Sequence, residues 1–242
     1  MANLLRILLI AGVVPAAIYG GMTWGYRAGQ VELGTIFQSL GWLVPALMVG
    51  GVVLLVVAVL SFISKRAGLG LVAVIAALGS LAMAAGPVQM KKTASQVPPI
   101  HDITTDVEDP PAFVATAPMR TEGMNPAAYD AGQTDRQLEA YPDLVPIEVA
   151  ASPDEAFEAA LKAAKDEGLA IAASDKAAGT IEGTATTRWF GFKDDVIIRI
   201  RANGEGSIID IRSKSRVGGS DVGANAARIR ALRTRILASL DS

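Results

Sequence analysis

His101 is the single histidine of the chain, and Asp102, Asp106, Glu108 and Asp109 follow it closely. Carboxylates at that density could serve a hard cation, which takes several oxygen ligands. The spacing does not make a calcium loop, because no glycine marks the sharp turn and no glutamate closes it at the required distance. Without cysteine the chain has no thiolate ligand, thiolate nucleophile or disulfide. The expectation is therefore no metal and no cofactor, with Asp and Thr side chains capping turns in a proline-bounded loop.

A second cluster lies in Arg212–Arg228. Ser213, Ser215 and Ser220 are candidate nucleophiles, yet no histidine stands near them and no Gly-x-Ser-x-Gly elbow is present. No catalytic residue is assigned, and a hydrolase is only the third reading. Ser220 or Asp221 suits the cap of a following helix. Gly218, Gly219 and Gly223 give that helix a flexible entry, where a small anion could bind at the N-terminus. A binding surface for an anion or lipid headgroup would use Arg212, Ser213, Arg216, Ser220, Asp221, Asn225 and Arg228.

Charge distribution links the two clusters. Residues 100–187 carry 17 acidic and 5 basic side chains, whereas residues 188–242 carry 6 acidic and 11 basic ones. An acidic arm preceding a basic segment is expected to fold across it, with His101, Asp102, Asp106 and Asp109 against Arg212–Arg228. Arginine forks match carboxylates, and Asp210, Asp221 and Asn225 could complete the network. The polar part as a whole is acidic, which disfavours nucleic acid as a partner.

The elements that position these residues begin with an apolar third. Residues 1–90 hold only Arg6, Arg27, Glu32, Lys65 and Arg66 as charges. Spans at about 7–24, 41–63 and 69–89 each approach the roughly 20 apolar residues that cross a bilayer. Their interiors lack ionisable groups, which argues against an ion or proton path. Val14-Pro15-Ala16 loosely resembles a signal cleavage site, but two further spans follow, so a retained three-helix anchor is expected. Small residues at four-residue spacing (Gly12, Ala16, Gly20; Ala46, Gly50; Ala76, Ser80, Ala84) allow close helix packing. Lys65-Arg66 in the short second loop places that loop in the cytoplasm and the C-terminal part outside it, although Lys91 and Lys92 pull the other way.

Residues 91–144 form a proline-rich, acidic arm, with Ile100, Ile103, Phe113, Tyr129 and Tyr141 as spaced anchors. Residues 145–242 read as an α+β domain. A strand over 145–150 leads to Ser152-Pro153-Asp154-Glu155, a helix start with a serine cap, proline at the first helical position and glutamate three after the cap. Gly168 stops that helix. Four strands follow, over 169–173, 180–189, 195–201 and 207–214, the last two alternating apolar and charged residues across the Asn203-Gly204 turn. A final helix runs over about 221–240. The order strand, helix, four strands, helix predicts an antiparallel sheet with helices on one face. Trp189, Phe190 and Phe192 around Gly191 are read as packing at a hairpin tip, or as aromatics dipping into a membrane interface.

Four stretches resemble one bacterial envelope family, the domain of unknown function 1499 (DUF1499). They are PPIHDITTDVEDPPAF at 98–113, AYPDLVPI at 140–147, TTRWFGFKDDVIIRIR at 186–201 and RSKSRVGGSDVGANAARIRAL at 212–232. The resemblance implies a domain commonly preceded by membrane helices or an export signal, with chloroplast relatives on the lumenal side. It implies no activity. The expectation is a non-enzymatic, multi-pass protein of the bacterial inner membrane with a periplasmic domain. Its partners would be the membrane and an envelope protein or anionic lipid.

Overall fold

The computed structural model describes residues 2–187 and 190–241. The chain divides into two compact units, Met1–Lys92 and Thr93–Ser242. It combines three long apolar helices with a mixed α+β unit built on an antiparallel sheet.

The first unit holds α1 (Ala2–Arg27), α2 (Leu33–Ile63) and most of α3 (Ala67–Ala94). Each is long and apolar enough to cross a membrane. Pro15, Pro45 and Pro87 lie inside these helices without ending them. Small residues decide where the helices meet. A Cβ added at Gly50 would stand 2.8 Å from the carbonyl oxygen of Gly12, so the α1 and α2 backbones touch at this pair. A Cβ on Gly51 would meet the Leu81 side chain of α3 at 2.8 Å. Of the expected small-residue rows, Gly12, Gly50, Ser80 and Ala84 are buried, whereas Gly20 is exposed with nothing near it. Large apolar side chains such as Ile10, Val49, Val59 and Ile75 point outward, where acyl chains would solvate them.

The second unit is a six-stranded antiparallel sheet. Its strands are β1 (Asp102–Thr104), β2 (Ile147–Val149), β3 (Ala170–Asp175), β4 (Thr180–Thr186), β5 (Lys193–Asn203) and β6 (Gly206–Ser215). The spatial order is β1-β6-β5-β4-β3, and β2 shares the outer edge of β6 with β1. Among the described residues, three α-helices complete the unit: α4 (Thr134–Ala140), α5 (Pro153–Asp166) and α6 (Ala224–Leu240). From residue 145 onward the order is strand, helix, four strands, helix, as expected. The proline-rich stretch before it adds β1 and α4, neither of which was expected. Arg188 and Trp189, the end of the expected 180–189 strand, lie outside the described residues.

Helix α5 starts at the expected capping box: Ser152 Oγ accepts from Glu155 N, and the Glu155 carboxylate accepts from Ser152 N. It ends where Gly168 takes φ +78, a left-handed value that glycine adopts without a Cβ penalty. Helix α6 starts later than expected. Its cap position is Gly223, and Asp221 lies before it.

Two-residue periodicity gives the sheet two unlike faces. Ile181 of β4, Val196, Ile198 and Ile200 of β5, and Ile209 and Ile211 of β6 share one core with Phe157, Ala160 and Ala164 of α5 and Ile229, Leu232 and Ile236 of α6. Ile100, Ile103, Tyr141 and Leu144 of the proline-rich segment join that core. The opposite face presents Glu182, Asp195, Arg199, Arg201, Asp210, Arg212, Lys214 and Arg216.

Candidate functional site

The charged sheet face is covered by parts of residues 102–129, and the interactions there fall into three groups. At the centre, Asp102 is fully buried and accepts from Arg212 Nε and Nη2, both at 2.9 Å, and from Lys214 Nζ at 2.9 Å. Arg212 and Lys214 are each 1% exposed. Their other donors reach backbone carbonyls: Arg212 donates to Pro111 and Ala127, and Lys214 donates to Ala128. The Arg212 guanidinium also lies 4.7 Å from the Phe113 ring and 5.4 Å from the Tyr129 ring. Arginine suits this place because it is planar, always charged and stacks on aromatic faces.

At one end, Asp195 accepts from Arg216 Nη2 at 2.7 Å, Arg120 Nη2 at 2.9 Å and Thr184 Oγ1 at 3.0 Å. At the other end, Asp210 Oδ2 accepts from Arg199 Nη2 at 2.9 Å and Arg201 Nη2 at 2.8 Å. Asp106 accepts from both arginines at 3.2 Å, and Asp109 accepts from Arg199 Nη1 at 2.9 Å. Glu182 is held differently. Its carboxylate accepts the backbone N–H groups of Val114, Ala115 and Thr116 and the Thr116 hydroxyl.

Ion pairs on this face join six cations (Arg120, Arg199, Arg201, Arg212, Lys214 and Arg216) to five carboxylates (Asp102, Asp106, Asp109, Asp195 and Asp210). Burial pushes Lys214 below the usual lysine range, with the Asp102 charge opposing. His101 is likewise pushed down, first by burial and then by the Lys214 charge. Such a cluster binds one part of the chain to another, and breaking it from one side leaves charge buried without a partner.

The other expected site residues lie on the helix-covered face. Ser213 Oγ lies 2.7 Å from Asn225 Oδ1, and Arg228 Nη1 donates to both. Arg228 Nη2 donates to Asp194 at 2.7 Å, and Asn225 Nδ2 donates to the His101 carbonyl. Ser220 Oγ accepts from Val222 N. The Asp221 carboxylate accepts from Gly223 N at 2.8 Å and Asn225 N at 2.9 Å, so it occupies the α6 N-terminus itself. That grip holds Val222 at φ +54, a value β-branched residues rarely adopt. Burial raises the Asp221 carboxyl above the usual aspartate range.

The seven expected binding residues therefore do not converge. Arg212 and Arg216 face the arm, Ser213 of β6 meets Asn225 and Arg228 of α6, and Ser220 and Asp221 lie in the loop between. Of the expected arm contacts, Asp102 reaches Arg212, whereas Asp106 and Asp109 pair with Arg199 and Arg201 of β5. The His101 ring lies beside Gln133, with Nδ1 3.4 Å from Nε2. Among the described residues no group of three or more His, Asp or Glu is placed to hold a metal ion. Sequence reasoning missed Arg120, Glu182, Arg199, Arg201 and Lys214. The alternation of β4, β5 and β6 was the signal for all but Arg120, since it puts them on one face.

The family profile described as "Protein of unknown function (DUF1499)" matches residues 102–236, more than half of the chain. The chain belongs to the DUF1499 family. The match begins at β1 and ends within α6, so the DUF1499 region takes in both the clasped segment and the sheet, and leaves the three apolar helices outside. No curated protein matches the chain. Among solved structures, TTHA0849 from Thermus thermophilus is similar at 12% identity, over 39% of this chain and 96% of that one. Its TM-score of 0.26 is too low to bear on the fold of this DUF1499 chain.

Proposed function

We propose that this DUF1499 protein is a non-enzymatic, multi-pass component of the bacterial inner membrane. Its periplasmic α+β domain binds an envelope protein at the membrane surface. The observation that carries the reading is that the buried charges of the sheet face are engaged with the arm and with one another. The motif whose serines, arginines and aspartates suggested chemistry is engaged in holding the fold, which points to the outer surface as the working part. A tether supports the location: α3 ends at Ala94 and β1 begins at Asp102. A link of that length reaches at most roughly 28 Å when extended. An anion held at 212–228 would require Arg212 to leave Asp102, or Arg216 to leave Asp195.

Photo-crosslinkers at exposed Ala227 and Thr234 of α6, in the full chain in cells, test the partner. Protein adducts are expected; lipid adducts alone would favour a headgroup ligand, and neither would overturn the reading. Orientation is read in the cysteine-free chain. Gly204→Cys should react with an impermeant maleimide in intact spheroplasts, and Ser64→Cys only after permeabilisation.

A further inference from the structure

The two edges of the sheet are finished differently. The outer edge of β6 is covered by β1 and β2, whereas β3 pairs with β4 alone among the described residues and leaves its other edge bare. Proteins commonly blunt such an edge with lysine, proline or inward-pointing charge, because its unpaired N–H and C=O groups invite another strand. β3 reads Ala-Ile-Ala-Ala-Ser-Asp, and Asp175 at its end is the one charge. A bulge between Ile171 and Ala173 bends the strand without adding a charge. Apart from half-buried Ile171 its side chains are small and exposed, so they leave room for a second backbone.

Helix α5 specifies the occupant. It packs against β3, and Lys176, just after that strand, lies 3.1 Å from Glu158 and 3.4 Å from Asp154. That contact marks the α5 flank on the β3 side. Asp154, Glu158, Leu161 and Lys165 fall at i, i+4, i+7 and i+11 and so share this flank. The row is acidic near the helix start, apolar in the middle and basic near the end. Asp154, Glu158 and Lys165 are exposed, and Leu161 is half-buried. Lys162 pairs with Asp166, but among the described residues Lys165 has no ion pair within its own chain. Turned end for end, such a row complements itself: Asp154 faces the partner subunit's Lys165, and the two copies of Leu161 meet near the axis. Antiparallel pairing of β3 with its own copy asks for the same two-fold. Counted from the Gly168 turn, the middle of the row lies roughly 10 Å back along α5 and the middle of β3 roughly 8 Å forward, so one axis serves both.

We propose that a second copy of this chain docks on this edge, β3 against β3 and α5 against α5, joining two six-stranded sheets into one. A contact between identical surfaces about a two-fold needs a patch complementary to itself, and this one is so in both backbone and charge. The inference goes beyond the envelope-partner reading and does not depend on it, because α6 takes no part.

The chain has no cysteine, so one introduced thiol reports a single contact. The full chain carrying Ala172→Cys is treated in native membranes with a short bismaleimide. A covalent homodimer is expected, and Thr234→Cys on α6 should give none. Lys165→Glu, added to Ala172→Cys, sets like charges opposite one another twice across the axis and should weaken the contact roughly tenfold. Asp154→Lys together with Lys165→Glu exchanges the two charges and should restore the dimer, which a loss of folding would not allow. A product that stays monomeric, a dimer formed equally through Thr234→Cys, or an adduct with a different protein overturns the proposal. So does a yield that Lys165→Glu leaves unchanged or that the exchange fails to restore.

Discussion

Asp102→Asn is the most informative perturbation of the charged face. The substitution keeps the shape of the side chain and removes the one charge that Arg212 and Lys214 share. Both cations are essentially buried, and their remaining partners are the carbonyls of Pro111, Ala127 and Ala128. Removing one member of a buried ion pair typically costs about 3–5 kcal/mol. Two stranded cations argue for the upper half of that range, but Lys214 has an escape that Arg212 lacks. Burial already depresses its pKa, and losing Asp102 removes the largest opposing influence. A lysine depressed in the folded state binds fewer protons there than in the unfolded chain. Stability then rises with pH from the folded value up to the unfolded one, about 10.4. The variant should thus lose about 4 kcal/mol near neutrality, or roughly 8–16 °C in Tm for a unit of this size, and regain part of it in alkali. Thermal unfolding of the full chain in detergent, followed through Trp189 with Trp24 and Trp42 replaced by Phe, reads both quantities. Asp109→Asn is the control, because that carboxylate is 70% exposed, and its loss should cost less than about 1 kcal/mol. Equal losses in the two variants, or no alkaline recovery for Asp102→Asn, would refute the reasoning.

Glu182→Ala should free the backbone N–H groups of Val114, Ala115 and Thr116 from their acceptor, so amide hydrogen exchange over 114–116 accelerates before the rest of the sheet responds. Gly50→Ala forces a methyl group against the Gly12 carbonyl; overpacking of this kind costs about 1–3 kcal/mol, measurable as a lower midpoint of α1–α2 unfolding in mixed micelles. His101 is depressed by burial, so the folded state binds fewer protons than the unfolded chain below about pH 6.5. Its contribution therefore lowers stability as pH falls from there toward the folded value, and His101→Gln should flatten that limb of the melting profile.

Much of the α+β unit was legible because its signals are local. The capping box at Ser152, the stop at Gly168 and the alternation through Arg199 and Arg212 each act within a few residues. β1 was not legible, because a three-residue strand in a proline-bounded stretch has no periodicity of its own and exists only through pairing with Lys214, Ser213 and Arg212. The attraction between acidic and basic segments was readable from composition, but its pairings needed the sheet. Once β5 and β6 lie in register, Arg199 stands opposite Asp210, and both turn toward the arm. The same alternation divides residues 212–228: consecutive residues of a strand face opposite sides, so Arg212 and Ser213 belong to different networks. Helix α6 begins later than its sequence suggests, because Ser220 and Asp221 resemble caps, whereas Asp221 acts across the Val222-Gly223 kink.

The clasp joins residues far apart along the chain, with Asp102 separated from Arg212 by 110 positions. During synthesis the aspartates appear soon after the third helix, well before any of their arginines exist. At about 5–20 residues per second, Asp102 waits roughly 5–20 s for Arg212. The sheet face that receives it is assembled from β4, β5 and β6, so the arm locks only after the late strands are in register. The aspartates thus act as a delayed check on assembly, since a nascent domain with a slipped β5 or β6 presents the wrong side chains and leaves the arm unlatched and open to proteolysis.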